Sequence, residues 1–201
     1  MKKQVVIVPG GDCFGSYGEY IKFLKDFKIN LKRFNKKGWK ENLSQELGRG
    51  YEVILPRMPN SLDARYLEWR IWFKKLTSLF RKDVVFIGYS LGGIFIAKYL
   101  AENKFPRKIR GTFLVGAPYD HEGSDEPIMD FKLPKSLARF AKQGGKISIY
   151  QSQDDPFVPF SNFGKYKKAL PDAHAVAFRN KGHFGQERFP ELAREIKKLF
   201  K

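Results

Sequence analysis

Six short apolar runs recur along the chain and limit its fold more than any other feature. They lie at residues 5–8, 53–55, 84–87, 112–115, 147–150 and 175–178, and each stops at a turn-forming residue. Runs that are apolar without strict alternation are typical of strands buried on both faces, as in parallel sheets. Segments with helical spacing separate most of the runs. The pattern predicts an α/β fold, with a mostly parallel sheet of about six strands flanked by helices.

The segments between the runs predict the helices and a single domain over residues 1–201. The apolar spacing favours helices at 62–80, 94–99, 163–170 and 191–200. Residues 20–50 are longer than one crossover helix needs, so we expect two helices there, divided near Lys36-Lys37-Gly38, with a basic helical insertion at about 17–40. The polar segment 118–135 is expected to be a short excursion over the sheet's edge, leaving only a minimal lid.

The charge distribution raises the question of an anionic partner. The net charge is +17, and residues 22–40 contain eight Lys and Arg side chains against the single acid Asp26. Basic residues interleaved with aromatic ones can bind nucleic acid or an anionic surface. Because lysines are also frequent outside this stretch, we interpret it as a solvated basic face and expect no nucleic-acid partner.

The sequence also disfavours a membrane-spanning, secreted, disulfide-bonded or metal-binding protein. No apolar run approaches the roughly 18 residues of a membrane span, and residues 5–8 are too short for a signal peptide, so we expect a cytoplasmic protein without a membrane span. The single cysteine, Cys13, excludes an internal disulfide and a cysteine-based metal cage. We expect no metal and no cofactor.

A serine between glycines follows the third apolar run, in the stretch Gly88-Tyr89-Ser90-Leu91-Gly92-Gly93. In open parallel sheets, ligands bind beyond the carboxyl ends of the strands. A Gly-x-Ser-x-Gly turn between a strand and a helix exposes the serine Oγ and directs the next N–H toward the same space. The pattern predicts Ser90 as a nucleophile and the Leu91 N–H as an oxyanion donor.

A nucleophilic serine needs a base, and the chain has three histidines. His121 lies in the polar excursion and His174 opens the last strand. His183 follows the last strand, at the same carboxyl edge as the serine turn. Position therefore favours His183 as the general base.

The base needs a carboxylate that orients it. Asp154 and Asp155 follow the fifth apolar run, and Asp120 follows the fourth. Asp154 and Asp155 can alternatively be simple turn residues, and Asp120 is a rival for the role of the acid. The residues alone leave the acid open among these three.

These motifs together resemble the α/β-hydrolase superfamily over nearly the whole chain. The matching stretches are "VVIVPGG", "YEVILPRMPN", "GYSLGG", "DDPFVP" and "GHFG". They look most like the small, lid-poor serine hydrolases of the retinoblastoma-binding-protein-9-like group. The resemblance implies a triad of Ser90, Asp155 and His183, because Asp-x-x-Val-Pro carries the acid in that group and maps onto Asp155 rather than Asp154.

The first strand end departs from that pattern, since Pro9-Gly10 replaces the family's frequent His-Gly. By position, the second oxyanion donor is then the N–H of Gly11 or Asp12, with the Asp12 carboxylate turned to solvent. The glycines before Ser16 imitate a phosphate-binding loop, but the lysine of that loop is missing, so nucleotide binding is rejected.

The leading functional hypothesis is a carboxylesterase-like serine hydrolase that cleaves a small ester, thioester or amide through an acyl-enzyme. We expect a small-molecule or peptide-like acyl substrate, with Tyr17, Tyr119, Met129 and Phe157 as candidate pocket residues. The alternative is a catalytically idle hydrolase fold that serves as a protein-binding scaffold, because a fold does not determine function.

Overall fold

One parallel sheet of six strands forms the centre of the protein. A computed structural model describes residues 1–31, 37–125 and 127–201. The strands are β1 Lys3–Val8, β2 Tyr51–Ile54, β3 Val84–Tyr89, β4 Ile109–Val115, β5 Lys146–Ser152 and β6 His174–Phe178. Their order is β2-β1-β3-β4-β5-β6, and every neighbouring pair is parallel. The six apolar runs are confirmed as the strands of an α/β fold.

Seven α-helices flank the sheet within the described residues. They are α1 Tyr17–Asp26, α2 Trp39–Leu47, α3 Tyr66–Leu76, α4 Leu91–Glu102, α5 Ala138–Gln143, α6 Ser161–Ala169 and α7 Pro190–Lys198. Helices α1 and α2 lie on either side of the division predicted near Lys36-Lys37-Gly38. Lys36 lies outside the described residues. None of the helices that the structure describes is long and apolar enough to cross a lipid bilayer.

Both faces of the sheet are covered, which explains why its strands do not alternate. In β1, Val6 and Val8 pack on the face that carries α3 and α4. Val5 and Ile7 pack on the opposite face, which carries α2 and α7. Burial of both faces favours apolar residues at successive positions, so the strands are continuous apolar runs.

Segment 118–135 differs from the predicted excursion, because its second half belongs to the core. Phe131 is fully buried, and its ring contacts those of Tyr66, Trp69 and Phe95. The Asp130 carboxylate accepts the Tyr66 N–H at 3.0 and 3.1 Å, which satisfies a free donor at the start of α3. The helix predicted from residue 62 therefore begins at Tyr66.

Helix α3 offers a test of the aromatic core. Phe73 is fully buried, and its ring lies 4.9–5.7 Å from four other aromatic rings, whereas its neighbour Trp72 is 42% exposed. We expect Phe73→Ala to lower the free energy of unfolding by about 3–5 kcal/mol, because it leaves a cavity. Trp72→Ala, the matched control, should lower it by less than about 1 kcal/mol. Urea unfolding curves measure both, and equal losses would contradict this packing.

Candidate active site

Ser90 occupies the sharp turn between β3 and α4. Its φ of 52° and ψ of −126° lie in a region that L-residues rarely adopt, at a cost of about 1–3 kcal/mol. The backbone holds this conformation: the Ser90 N–H donates to the Val115 carbonyl at 2.9 Å, and its carbonyl accepts the Gly93 N–H at 2.8 Å. The Ser90 side chain does not cap the helix. The Ser90 hydroxyl is therefore not bound by the first turn of α4.

Glycines make this turn possible by removing side chains where backbones meet. A Cβ on Gly92 would lie 2.2 Å from the Val8 carbonyl oxygen and 2.4 Å from that of Pro9. A Cβ on Gly93 would lie 2.4 Å from the Ala117 Cβ. Since real Cβ atoms do not approach so closely, the first turn of α4 requires glycine at both positions to rest on the ends of β1 and β4.

His183 and Asp155 are joined by a hydrogen bond. The His183 Nδ1 lies 2.8 Å from Asp155 Oδ2 and 3.0 Å from Oδ1. The Asp155 side chain is fully buried, and its Oδ1 also accepts the N–H groups of Phe157 and Val158. A carboxylate at Nδ1 favours the tautomer with its proton there, which leaves Nε2 as an acceptor.

The other acid candidates have different partners. Asp154 Oδ1 accepts the Gly182 N–H at 2.9 Å, and it also accepts the Ser152 hydroxyl, whose hydrogen bond lowers the Asp154 pKa. Asp120 is held by the Lys165 ammonium at 2.7 Å. Of the three aspartates, Asp155 is the one that contacts His183, and Asp154 instead supports the chain just before it.

Ser90 and His183 line one pocket of about 400 Å³ at the carboxyl edge of the sheet. Leu91 and Gly11, the expected oxyanion donors, line it as well. Asp12 also lines the pocket, but its N–H donates to the Ser61 carbonyl at 2.9 Å. The Asp12 N–H is therefore already engaged, which leaves Gly11 as the candidate for the second donor.

Three of the four residues expected around the substrate lie elsewhere. Phe157 lines the pocket, with its ring 5.2 Å from that of His183. Tyr119 packs edge-on against Tyr166, and Met129 packs against the core. Tyr17 is exposed on α1 beside a separate pocket. The placement of these three depends on long-range packing that a motif does not encode.

Tyr89 and Trp39 support the histidine but were not predicted to belong to the site. The Tyr89 hydroxyl donates to the His183 carbonyl at 2.7 Å, and the Trp39 Nε1–H donates to the Phe184 carbonyl at 2.9 Å. Burial, with a smaller contribution from the Asp155 charge, raises the Tyr89 pKa, so this phenol stays a neutral donor. Tyr89 is the variable position of the Gly-x-Ser turn, which gives no signal of its role.

Comparison with known proteins identifies the family. The model of the serine hydrolase family matches residues 31–198. The chain belongs to the serine hydrolase family. Rat serine hydrolase RBBP9 is 24% identical to it over 200 residues, covering 98% of this chain and 95% of the rat protein. The expected membership of the α/β hydrolases, in the RBBP9-like group, is confirmed.

Solved structures share the fold of this serine hydrolase. The ydeN gene product of Bacillus subtilis superimposes with a TM-score of 0.78 at 19% identity, covering 99% of both chains. A ydeN-like hydrolase of Pectobacterium atrosepticum has a TM-score of 0.64 at 18% identity, covering 98% of this chain and 92% of the other. At these identities, the likeness shows a common architecture.

Gly92 provides a test of the serine turn. We expect Gly92→Ala to lower the free energy of unfolding by about 1–3 kcal/mol or more, because the added Cβ meets two backbone carbonyls. Gly164 lies in α6 with nothing within 4 Å of an added Cβ, so Gly164→Ala should raise stability slightly, by up to about 1 kcal/mol. Urea denaturation compares the two variants. An unchanged free energy of unfolding in Gly92→Ala would contradict the close packing of this turn.

Cys13, on the pocket wall, provides a test of burial. The thiol is 2% exposed, and burial, followed by the Asp130 charge, raises its pKa to about 12. At pH 8 the thiolate fraction is then on the order of 10⁻⁴, so a disulfide reagent such as DTNB should react very slowly with the native hydrolase. In guanidinium chloride, one thiol per chain should react promptly. Fast reaction of the folded protein would contradict this burial.

Proposed function

We propose that this serine hydrolase cleaves small esters, thioesters or amides through an acyl-enzyme formed on Ser90. The supporting observation is the contact between the buried Asp155 carboxylate and His183 Nδ1, because His183 lines the same pocket as the strained Ser90. A serine hydroxyl is a weak nucleophile alone, and a base oriented by a carboxylate is the arrangement that activates it.

The proposed reaction begins when His183 Nε2 accepts the Ser90 Oγ proton as Oγ attacks the substrate's carbonyl carbon. The Asp155 carboxylate stabilises the resulting imidazolium. The Leu91 and Gly11 N–H groups hold the oxyanion of the tetrahedral intermediate, a contribution of about 2.7–4 kcal/mol per donor. The imidazolium then protonates the leaving group, which departs and leaves an ester on Ser90.

Hydrolysis of that ester repeats the same steps with water. His183 Nε2 takes a proton from the water molecule as the water oxygen attacks the acyl carbon. Collapse of the second tetrahedral intermediate breaks the bond to Oγ, and the imidazolium returns its proton to Ser90. The acid product leaves, and the enzyme is restored.

The size and walls of the pocket favour a small substrate. Its volume is about 400 Å³, near the lower end of the range for small-molecule sites, roughly 300–1,000 Å³. Apolar side chains of Leu62, Ile128 and Phe157 contribute to the wall. A short acyl group or a peptide-like fragment fits these dimensions.

Labelling with a fluorophosphonate probe tests the proposed nucleophile. The probe phosphonylates an activated serine, so we expect rapid labelling of the wild type and none of Ser90→Ala. His183→Ala and Asp155→Asn should slow labelling by about 10³- to 10⁴-fold, because each removes the oriented base. Gel fluorescence against time gives the rates.

Asp154→Asn is the matched control for Asp155→Asn. It removes the same charge one residue away, and the amide oxygen can still accept the Gly182 N–H, so its labelling rate should fall far less. Equal losses in the two variants would contradict the assignment of Asp155. A well-folded wild type that does not label at all would contradict the acyl-enzyme mechanism and support the scaffold alternative.

A further inference from the structure

The pocket contains a cation, Lys40, that the proposed mechanism does not use. Lys40 lies in the first turn of α2 and lines the same pocket as Ser90 and His183. Its ammonium sits over the Tyr89 ring, 4.3 Å from the ring centroid, and 5.7 Å from that of Trp39. The charge is thus held beside the serine turn by contacts with two aromatic rings.

Lys40 forms no ion pair with any residue in the part of the chain that the structure describes. The Glu41 carboxylate accepts the Gly38 N–H at 2.8 Å. Asp120, which also lines the pocket, is bound by Lys165, and no ion pair joins Lys40 to either Asp120 or Asp12. The described contacts of the Lys40 ammonium are therefore the two aromatic rings, on a residue that lines the pocket.

The position of Lys40 is unfavourable for stability. Burial lowers its pKa, with the Glu41 charge acting in the opposite direction. A cation in the first turn of a helix also opposes the helix dipole, which favours negative charge there. Natural proteins retain such local conflicts mainly at functional sites. A lysine at position 40 is better explained by binding of a ligand than by a contribution to the stability of the fold.

We propose that the Lys40 ammonium binds a carboxylate of the substrate, so that this hydrolase selects esters or amides that carry a negative charge. The inference rests on the proposed function of Ser90 and adds the class of substrate. An ammonium already stripped of much of its water makes a strong charge-assisted hydrogen bond with a carboxylate. The net charge of +17 also favours the approach of an anion.

Two matched pairs of substrates test the proposal and locate the carboxylate. The p-nitrophenyl monoester of glutarate, compared with p-nitrophenyl butyrate, places a carboxylate on the acyl side. 4-Acetoxybenzoate, compared with phenyl acetate, places it on the leaving group. The measured quantity is the anionic-to-neutral ratio of kcat/KM, and comparing this ratio between variants cancels the intrinsic reactivity of each ester.

We expect Lys40→Met to lower this ratio by at least about tenfold for one pair, as the loss of one charge-assisted hydrogen bond predicts. Lys40→Arg, which keeps the charge, should retain more of the preference than Lys40→Met. Lys104→Met is the control for net charge, since Lys104 is exposed and remote from the pocket, and its ratio should match the wild type. An unchanged ratio for both pairs in a folded Lys40→Met would overturn the proposal.

Binding without turnover separates failure of this proposal from failure of the proposed nucleophile. Isothermal titration calorimetry measures the binding of glutarate and of 4-hydroxybenzoate to wild type and to Lys40→Met. This measurement requires no reaction at Ser90. If no ester is turned over and no fluorophosphonate label forms, the mechanism is wrong, while Lys40-dependent binding would still support the anion site. If neither anion binds more weakly to Lys40→Met in that case, the anion site is wrong as well.

Discussion

The close contact between α4 and the carboxyl end of the sheet is the constraint on which the site depends. Gly92 and Gly93 allow the first helical turn to touch the ends of β1 and β4 without intervening side chains. The chain can then turn within one residue, which forces Ser90 to positive φ. Most of α4 is buried, so packing of the whole helix offsets the strain stored at that residue.

The adjacent residues Asp154 and Asp155, which follow β5, position different parts of the segment around His183. Asp155 contacts the imidazole itself, and its position is set by two N–H groups of the turn that follows. Asp154 holds the backbone at Gly182, one residue before His183. A side chain and its own backbone are thus positioned from the same short turn, which leaves the ring little freedom to rotate away from the pocket.

The sequence predicted those parts of the molecule that depend on local patterns. Burial on both faces produces continuous apolar strands, and a strand-to-helix turn around Ser90 requires glycines, so both could be read from neighbouring residues. The start of α3 could not, because its cap is the Asp130 carboxylate, 64 positions away. The position of Tyr119 could not be predicted for a similar reason, since its ring packs against Tyr166, 47 positions away in the sequence. Pocket walls depend on such distant pairs.

The backbone of His183 and Phe184 is anchored from two distant elements, by Tyr89 at the end of β3 and by Trp39 at the start of α2. Trp39 is fully buried in the core and Tyr89 is half-buried and packs against it, so releasing either anchor disturbs the packing around it. The segment that contains His183 and Phe184 is therefore expected to unfold together with the whole domain. On heating, such an enzyme should lose activity when the domain unfolds rather than through gradual loosening of the site. The rate of thermal inactivation is then set by the activation barrier of unfolding.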